Sequence, residues 1–441
     1  MKKSLLLAAL AGLTLVANAQ QNAVNSPYSR YGLGQLSHRA TGFNTAMAGT
    51  GIAMSDARQL NLTNPASLAR IDSLSFLFDI GASVQWSNYS SAGGSQNTNG
   101  ARFDYFAAGF RLAPGMGLSL GLAPYSQIGY DLTSTGAEIS NGATGTVTPT
   151  LSYKGDGGLN EAYVALGYAP FKPLALGVNL GYLWGDITHT ATTSFSDNAV
   201  QSSYRGYSTE VRSYKVDFGL QFAQKLHRNH LLQLGLTYGL GHQLNGTSYI
   251  YNESRQTNST TSVTSVVGAD TVSVRNAFAL PQSLGAGLMW QWKNSLRIGV
   301  DYTYQRWSDA TAPVLSQQGG VWQYTAQRGQ YTDRSRISLG AEYVPNPEGL
   351  TWSSRVRYRF GASYATPYVR YNGQDGPRTY TVGLGLGLPI LNSHNNRSML
   401  NLSAEYVRVD PQVTGVLREN YFRLTLGLSF NERWFQKIKL Q

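Results

Sequence analysis

Apolar and polar residues alternate along most of this chain. Near its end Phe422, Leu424, Leu426, Leu428 and Phe430 share one parity, and Arg423, Thr425, Gly427 and Ser429 share the other. Near its start Leu74, Phe76, Phe78, Ile80, Ala82, Val84 and Trp86 stand against Ser75, Asp79, Gly81, Ser83 and Gln85. The dyad recurs between them, with Tyr214, Val216, Phe218, Leu220 and Phe222 opposite Lys215, Asp217, Gly219 and Gln221. Successive strand residues point to opposite faces, so each run predicts a strand with one apolar and one polar face. Reading every such run predicts fourteen strands, near 74–86, 102–112, 117–130, 159–169, 174–190, 208–226, 230–243, 278–293, 295–308, 334–345, 349–366, 378–390, 398–408 and 419–431. Most reach the ~9–11 residues that a tilted strand needs to cross a bilayer.

The connections alternate in length. Short turns are expected at Pro114-Gly115, 170–173, 227–229, 293–295 and 346–349, with a slightly longer one from Asn392 to Arg397. Between them lie long polar segments, 131–158, 244–277 and 309–333, read as loops. Short turns at one end and long connections at the other are the pattern of an outer-membrane barrel. A soluble β-sandwich or propeller also alternates. Strand length, alternating connections and aromatics at the ends of apolar faces (Trp86, Tyr182, Trp184, Trp290, Trp292, Tyr302, Tyr304, Tyr406) favour the barrel.

Composition agrees. Charged residues are 13% of the chain, Gly (48) and Tyr (28) are abundant, and Cys is absent, which excludes disulfides, zinc-thiolate sites and a cysteine nucleophile. The first nineteen residues, with Lys2-Lys3, an apolar run from Leu5 to Val16 and Ala17-Asn18-Ala19, read as a secretory signal peptide. The formal charge of +11 is spread along the strands with no Lys/Arg run. It therefore suggests lipid head groups or a lumen lining, not nucleic acid.

Residues 20–73 precede the first strand. They are rich in small residues (Ala46-Met47-Ala48-Gly49-Thr50-Gly51) and contain the turn Asn64-Pro65-Ala66. Pro65 pushes Asn64 out of the helical region, where Asn64 can cap the turn. The expectation is a plug filling a barrel. The organisation is then signal peptide 1–19, plug 20–73, fourteen-stranded antiparallel transmembrane β-barrel 74–435 and periplasmic tail 436–441.

That small-residue run, the Asn64-Pro65-Ala66 turn and the fourteen strands after it resemble the FadL and TodX family of outer-membrane channels for fatty acids and other hydrophobic molecules. The resemblance implies an N-terminal hatch, capture of substrate from outside, and lateral release through a gap at a kinked third strand. Here Pro124 interrupts the third strand between Ala123 and Tyr125. Proline cannot donate to a ladder, so it marks a bulge or a break. Ala123, Pro124 and Tyr125 are therefore the candidate lateral gap.

Arg297, Arg336, Arg355, Arg357, Arg359 and Arg423 are read on the lumen parity, with Asp301, Glu342 and Glu405. They are expected either to brace wall against plug or to attract an anionic head group. Patterns that suggest catalysis fail on context. Gly117-Leu118-Ser119-Leu120-Gly121 spells a nucleophile elbow but lies inside an alternating strand. Gly383-Leu384-Gly385-Leu386-Gly387 has no following helix. His227 and His230 sit in a short turn without a third ligand. The expectation is a non-enzymatic outer-membrane channel needing no cofactor or metal, whose partners are membrane lipids and a hydrophobic small molecule. The alternative is a non-conducting accessory barrel in an outer-membrane assembly or secretion complex.

Overall fold

The computed structural model describes residues 26–433, apart from 74, 92–93, 141–144, 259–260, 262, 319–320, 372, 391–397 and 413–416. The expected signal peptide (1–19), the C-terminal tail (436–441) and the Asn392–Arg397 turn lie outside the described residues. Fourteen antiparallel strands form one closed barrel. They are β1 (Ser75–Ser91), β2 (Gly94–Ala113), β3 (Met116–Pro124, then Ser126–Thr135), β4 (Pro149–Gly157, then Asn160–Phe171), β5 (Leu174–Phe195), β6 (Ser202–His227) and β7 (His230–Gly239, then Gly246–Thr257). They continue with β8 (Thr264–Arg275, then Gln282–Trp292), β9 (Leu296–Arg306), β10 (Arg334–Tyr343), β11 (Arg357–Ala365), β12 (Arg378–Ile390), β13 (Ser398–Asp410) and β14 (Arg418–Arg433). β14 pairs back onto β1 from Ser75↔Arg433 to Ser90↔Arg418, which closes the ring.

The faces are inverted relative to a water-soluble sheet. Leu426 is 50% exposed and Val84 42%, while Thr425 and Gln85, their chain neighbours, are 4% and 6% exposed. The apolar parity looks outward and the polar parity is enclosed, the arrangement of a barrel wall in lipid. No helix among the described residues is long and apolar enough to cross a membrane, which does not bear on strands.

Two expectations are corrected. The long polar connections are not loops. Segments 131–158 and 244–277 are largely strand: the second halves of β3 and β7 and the first halves of β4 and β8 run through them. Segment 309–333 folds as a hairpin, Ala312–Gln318 on Val321–Gln327. β5 and β6 stay paired as far as Thr193↔Ser203, so they outrun the bilayer. Polar composition does not end a strand when Thr, Tyr and Ser keep the ladder hydrogen-bonded. The second correction concerns Arg355. β11 starts at Arg357, and Arg355 closes a short 3-10 turn, Ser353–Arg355, outside the wall. Pro347 and Gly349 lie in the connection before it, so the chain there cannot continue a ladder.

The N-terminal segment lies against the inner face of the wall. Its short helix α1 (Gly42–Thr45) touches β13 and β14, and its 3-10 turn Pro65–Arg70 touches β4, β5 and β6. Close approach depends on inward glycines. A Cβ on Gly219 would lie 2.1 Å from Asn64 Oδ1, on Gly177 2.3 Å from Ala66 N, on Gly235 2.2 Å from the Ile52 carbonyl oxygen and on Gly361 2.1 Å from the Met47 carbonyl carbon.

Candidate functional site

Asn64 caps its turn as expected, accepting a hydrogen bond from Ala66 N at 3.0 Å. Its amide then donates to the carbonyls of Ile52 (2.8 Å), Leu220 (3.2 Å) and Leu236 (3.3 Å). One side chain thus ties the turn to itself and to β6 and β7. Pro65 and Ala66, both buried, pack on the glycine backbones of β4, β5 and β6.

The third strand breaks where Pro124 stands. β3 pairs with β2 only from Ala113↔Met116 to Phe106↔Leu122. Pro124 still faces Asn160 on β4. After Tyr125 the strand resumes and pairs with Thr150–Gly157, but among the described residues no ladder joins it to β2 again. The free edge is met instead by the N-terminal segment, with Gln35↔Gln127 and Leu36↔Ser126, and Ser37 N donates to the Tyr125 carbonyl at 3.0 Å. Gly34, at φ +87°, makes this approach: a Cβ there would lie 2.4 Å from Ile128 Cγ1. Ala123, Pro124 and Tyr125 are therefore brought together with residues 35–38.

The six arginines separate into groups. Arg297 and Arg357 both donate to Asp56 (3.0 and 3.1 Å) and to Glu342 (3.3 Å each). Arg359 donates to Glu342 (2.8 Å) and to Asn401 (2.6 Å). These three, Arg359 buried and the other two half-buried, form a lattice with two buried carboxylates, one of them on the N-terminal segment. Arg423 donates to Gln85 at 2.9 Å and lies 3.6 Å from Glu405. Arg336 differs: it donates to the Ala48 carbonyl at 2.6 Å and to Ser363 at 3.4 Å, and has no carboxylate partner among the described residues. Arg355 joins none of them.

A second lattice was not foreseen. Arg39 of the N-terminal segment pairs with Glu161 on β4 and, at 2.7 Å, with Asp217 on β6, which Lys215 also pairs. Inward parity marks Lys215 and Asp217 in the sequence. Nothing local links them to Arg39, which lies 178 residues from Asp217.

Two cavities flank residues 36–38. One, about 170 Å³, reaches Arg102, Arg334, Arg336, Glu405, Glu419 and Arg423, with Tyr368, Val369, Val407 and Val409 on its apolar side. The other, about 200 Å³, reaches Arg39, Glu161, Lys215 and Asp217. Both are lined by Leu36, His38, Pro124, Arg334 and Arg336. His38 lines this enclosed space, where the positive charge of Arg336, followed by burial and Arg334, holds its imidazole well below its ordinary pKa. Toward the long-hairpin end lies a buried aromatic cluster. Trp307 lies 4.4 Å from Tyr368 and 5.6 Å from Tyr331, ring centre to ring centre, and Tyr368 donates to the Gly34 carbonyl.

Ser119 of the elbow-like pattern is fully buried in mid-strand, and no group of three metal-ligating side chains exists among the described residues. A family model described as BamG matches residues 1–441. The chain belongs to the BamG family. Solved structures show the same fold for this BamG-family chain. The Ralstonia pickettii toluene transporter TbuX superposes with a TM-score of 0.58 at 14% identity, covering 89% of this chain and 98% of TbuX. The Pseudomonas putida toluene transporter TodX gives 0.58 at 16% identity, covering 91% and 99%. A Pseudomonas aeruginosa FadL homologue gives 0.57 at 12%, covering 91% and 99%. No curated protein sequence matches. The FadL and TodX resemblance thus holds at the level of fold, while the family is BamG.

Proposed function

We propose that this BamG-family barrel is an outer-membrane channel for passive uptake of hydrophobic or amphipathic small molecules. Residues 20–73 act as its plug and 74–435 as the wall. Molecules enter from the long-hairpin end past the Trp307–Tyr368 cluster and leave sideways beside Ala123, Pro124 and Tyr125. The observation that carries this reading is the edge of β3 beyond Pro124, which leaves β2, borders two internal cavities and is covered by the N-terminal segment through residues 35–37 and through Ser29 at Gly129. In lipid an unpaired edge is costly unless it has a purpose or a cover. Toluene is named for TbuX and TodX. The charged cavities here suit an amphipathic molecule better than a bare hydrocarbon.

The test uses the natural absence of cysteine. Phe103→Cys and Tyr125→Cys place one thiol on each side of the unpaired region. Bridging them with a bifunctional maleimide in proteoliposomes should stop uptake of a ten-carbon acid, and unbridged protein should take it up. Undiminished uptake after bridging would remove the lateral route.

A second reading, a non-conducting accessory barrel of an outer-membrane assembly or secretion complex, is favoured by membership of the BamG family and by the two ion-pair lattices that pin the N-terminal segment. Purification in mild detergent separates the two. A stoichiometric protein partner supports the accessory barrel, and a lone monomer carrying lipid in its lumen supports the channel.

A further inference from the structure

The short-turn end of the barrel carries a repeated surface pair, a cation beside an exposed apolar side chain. It is Arg111 with Leu112 between β2 and β3, Lys172 with Phe171 between β4 and β5, and Lys225 with Leu226 between β6 and β7, where Arg228 adds a further charge. It is Lys293 with Trp292 between β8 and β9, and Arg355 with Trp352 between β10 and β11. The apolar members are well out of the fold: Phe171 is 67% exposed and Leu226 60%. None of these six cations forms an ion pair among the described residues. The surface acids at this end are Asp72, held by Arg58 at 3.8 Å, Glu348 and Glu432. The long-hairpin end differs. There Lys154 pairs with Asp131, Arg255 with Glu253, Arg306 with Asp309 and Arg418 with Asp410.

The pair recurs at every second strand, so the charges run around the rim and do not gather on one sector. A protein partner covers a sector, whereas a lipid leaflet surrounds the whole ring. An apolar side chain next to a Lys or Arg is also what a bilayer interface selects. The first reaches the acyl chains, and the aliphatic stem of the second carries its charge back to the head groups. Lys293 shows this arrangement, with Nζ 5.0 Å from the Trp292 ring centre. We propose that this rim gathers anionic glycerophospholipids in the leaflet at the short-turn end, its six cations holding their phosphates. A zwitterionic head brings its own cation and gains less from the same rim. The proposal goes beyond the functional reading and holds equally for a channel and for an accessory barrel, since it concerns only how the wall sits in its membrane.

The chain has no cysteine, so a single thiol can report on each end. Phe171→Cys stands at the rim, and Trp86→Cys, also on the outer face, stands toward the other end of β1. Each full-length protein, labelled with bimane, goes into phosphatidylcholine vesicles holding a minor share of brominated phosphatidylglycerol or brominated phosphatidylcholine. At position 171 quenching should show phosphatidylglycerol enriched about two- to fivefold over phosphatidylcholine, and the enrichment should shrink as salt is added. At position 86 the two lipids should quench alike. Lys172→Gln, Lys225→Gln, Arg228→Gln and Lys293→Gln together, all exposed turn residues, should bring the ratio at 171 close to one. The same positions exchanged between Lys and Arg should keep it. If the fourfold variant does not fold, Lys172→Gln alone, beside the probe, should lower the ratio. Equal quenching by both lipids at 171, or the same enrichment at 86, overturns the proposal. Loss of the enrichment in inorganic phosphate but not in sodium chloride of equal ionic strength would give the rim to free phosphate and overturn it too. So would binding of poly-glutamate to the rim without any lipid preference, which would point to an acidic protein.

Discussion

Asp301 on β9 accepts hydrogen bonds from the backbone N–H groups of Gly51, at 2.6 Å, and of its neighbour Ile52, at 2.8 Å. Asp301 is buried and forms no ion pair among the described residues, so its charge is met by peptide dipoles. Two adjacent amides aimed at one oxygen make a small anion cradle, here used to hold the N-terminal segment to the wall. Asp301→Ala would leave both donors unsatisfied. The expected loss is about 1–3 kcal/mol for each, read as a lower urea midpoint. Asp301→Asn keeps an acceptor and should lose less.

Asp56 joins the N-terminal segment to β9 and β11 through Arg297 and Arg357. Burial acts to raise its pKa, but the two arginines outweigh that and hold the carboxyl well below its ordinary range. A folded pKa below the unfolded one means that the stabilisation is present above the unfolded value, ~4. It fades as pH falls from there toward the depressed value. Asp56→Asn should therefore cost about 3–5 kcal/mol at neutral pH, the expected penalty for breaking a buried pair. The gap between wild type and variant should narrow in unfolding experiments below pH ~4. A gap independent of pH would mean that the charge is not what Asp56 contributes.

Gly219 has no room for a side chain, because a Cβ would meet Asn64 Oδ1 at 2.1 Å and Pro65 Cδ at 2.8 Å. Gly219→Ala must push the turn off β6, at a cost of about 1–3 kcal/mol. Gly268, on the exposed first half of β8, has only a Ser254 Cβ at 4.0 Å nearby, so Gly268→Ala should be neutral. Limited proteolysis of the N-terminal segment should rise in the first variant and not in the second.

Leu426 faces outward at 50% exposure among other apolar side chains. If that face meets hydrocarbon, Leu426→Arg should cost about 2–4 kcal/mol near the bilayer midplane and lower the yield of refolding into lipid vesicles. An unchanged yield would mean that this surface is not in lipid.

Much of this was legible along the chain. The number of strands, the direction of each face, the Asn64 cap and the irregularity at Pro124 all follow from relations within a few residues: period-two alternation, a proline without an N–H, an Asx side chain beside its own turn. Glycine on the inward parity, as in Gly383 and Gly385, was visible as small residues inside. Its purpose was not, because that depends on what presses against it, here Ala46.

Tertiary structure alone decided which arginines find a carboxylate. Asp56 meets Arg297 and Arg357 across 241 and 301 residues of sequence, and no local pattern says whether an inward guanidinium will find a carboxylate. Parity placed Arg336 beside Arg357 and Arg359, and partners separated them. The same reasoning displaced Arg355, which the backbone leaves in a turn. Alternation is a property of adjacent residues and survives in the sequence. Charge balance is a property of a closed surface and exists only once the ring has formed around its N-terminal segment.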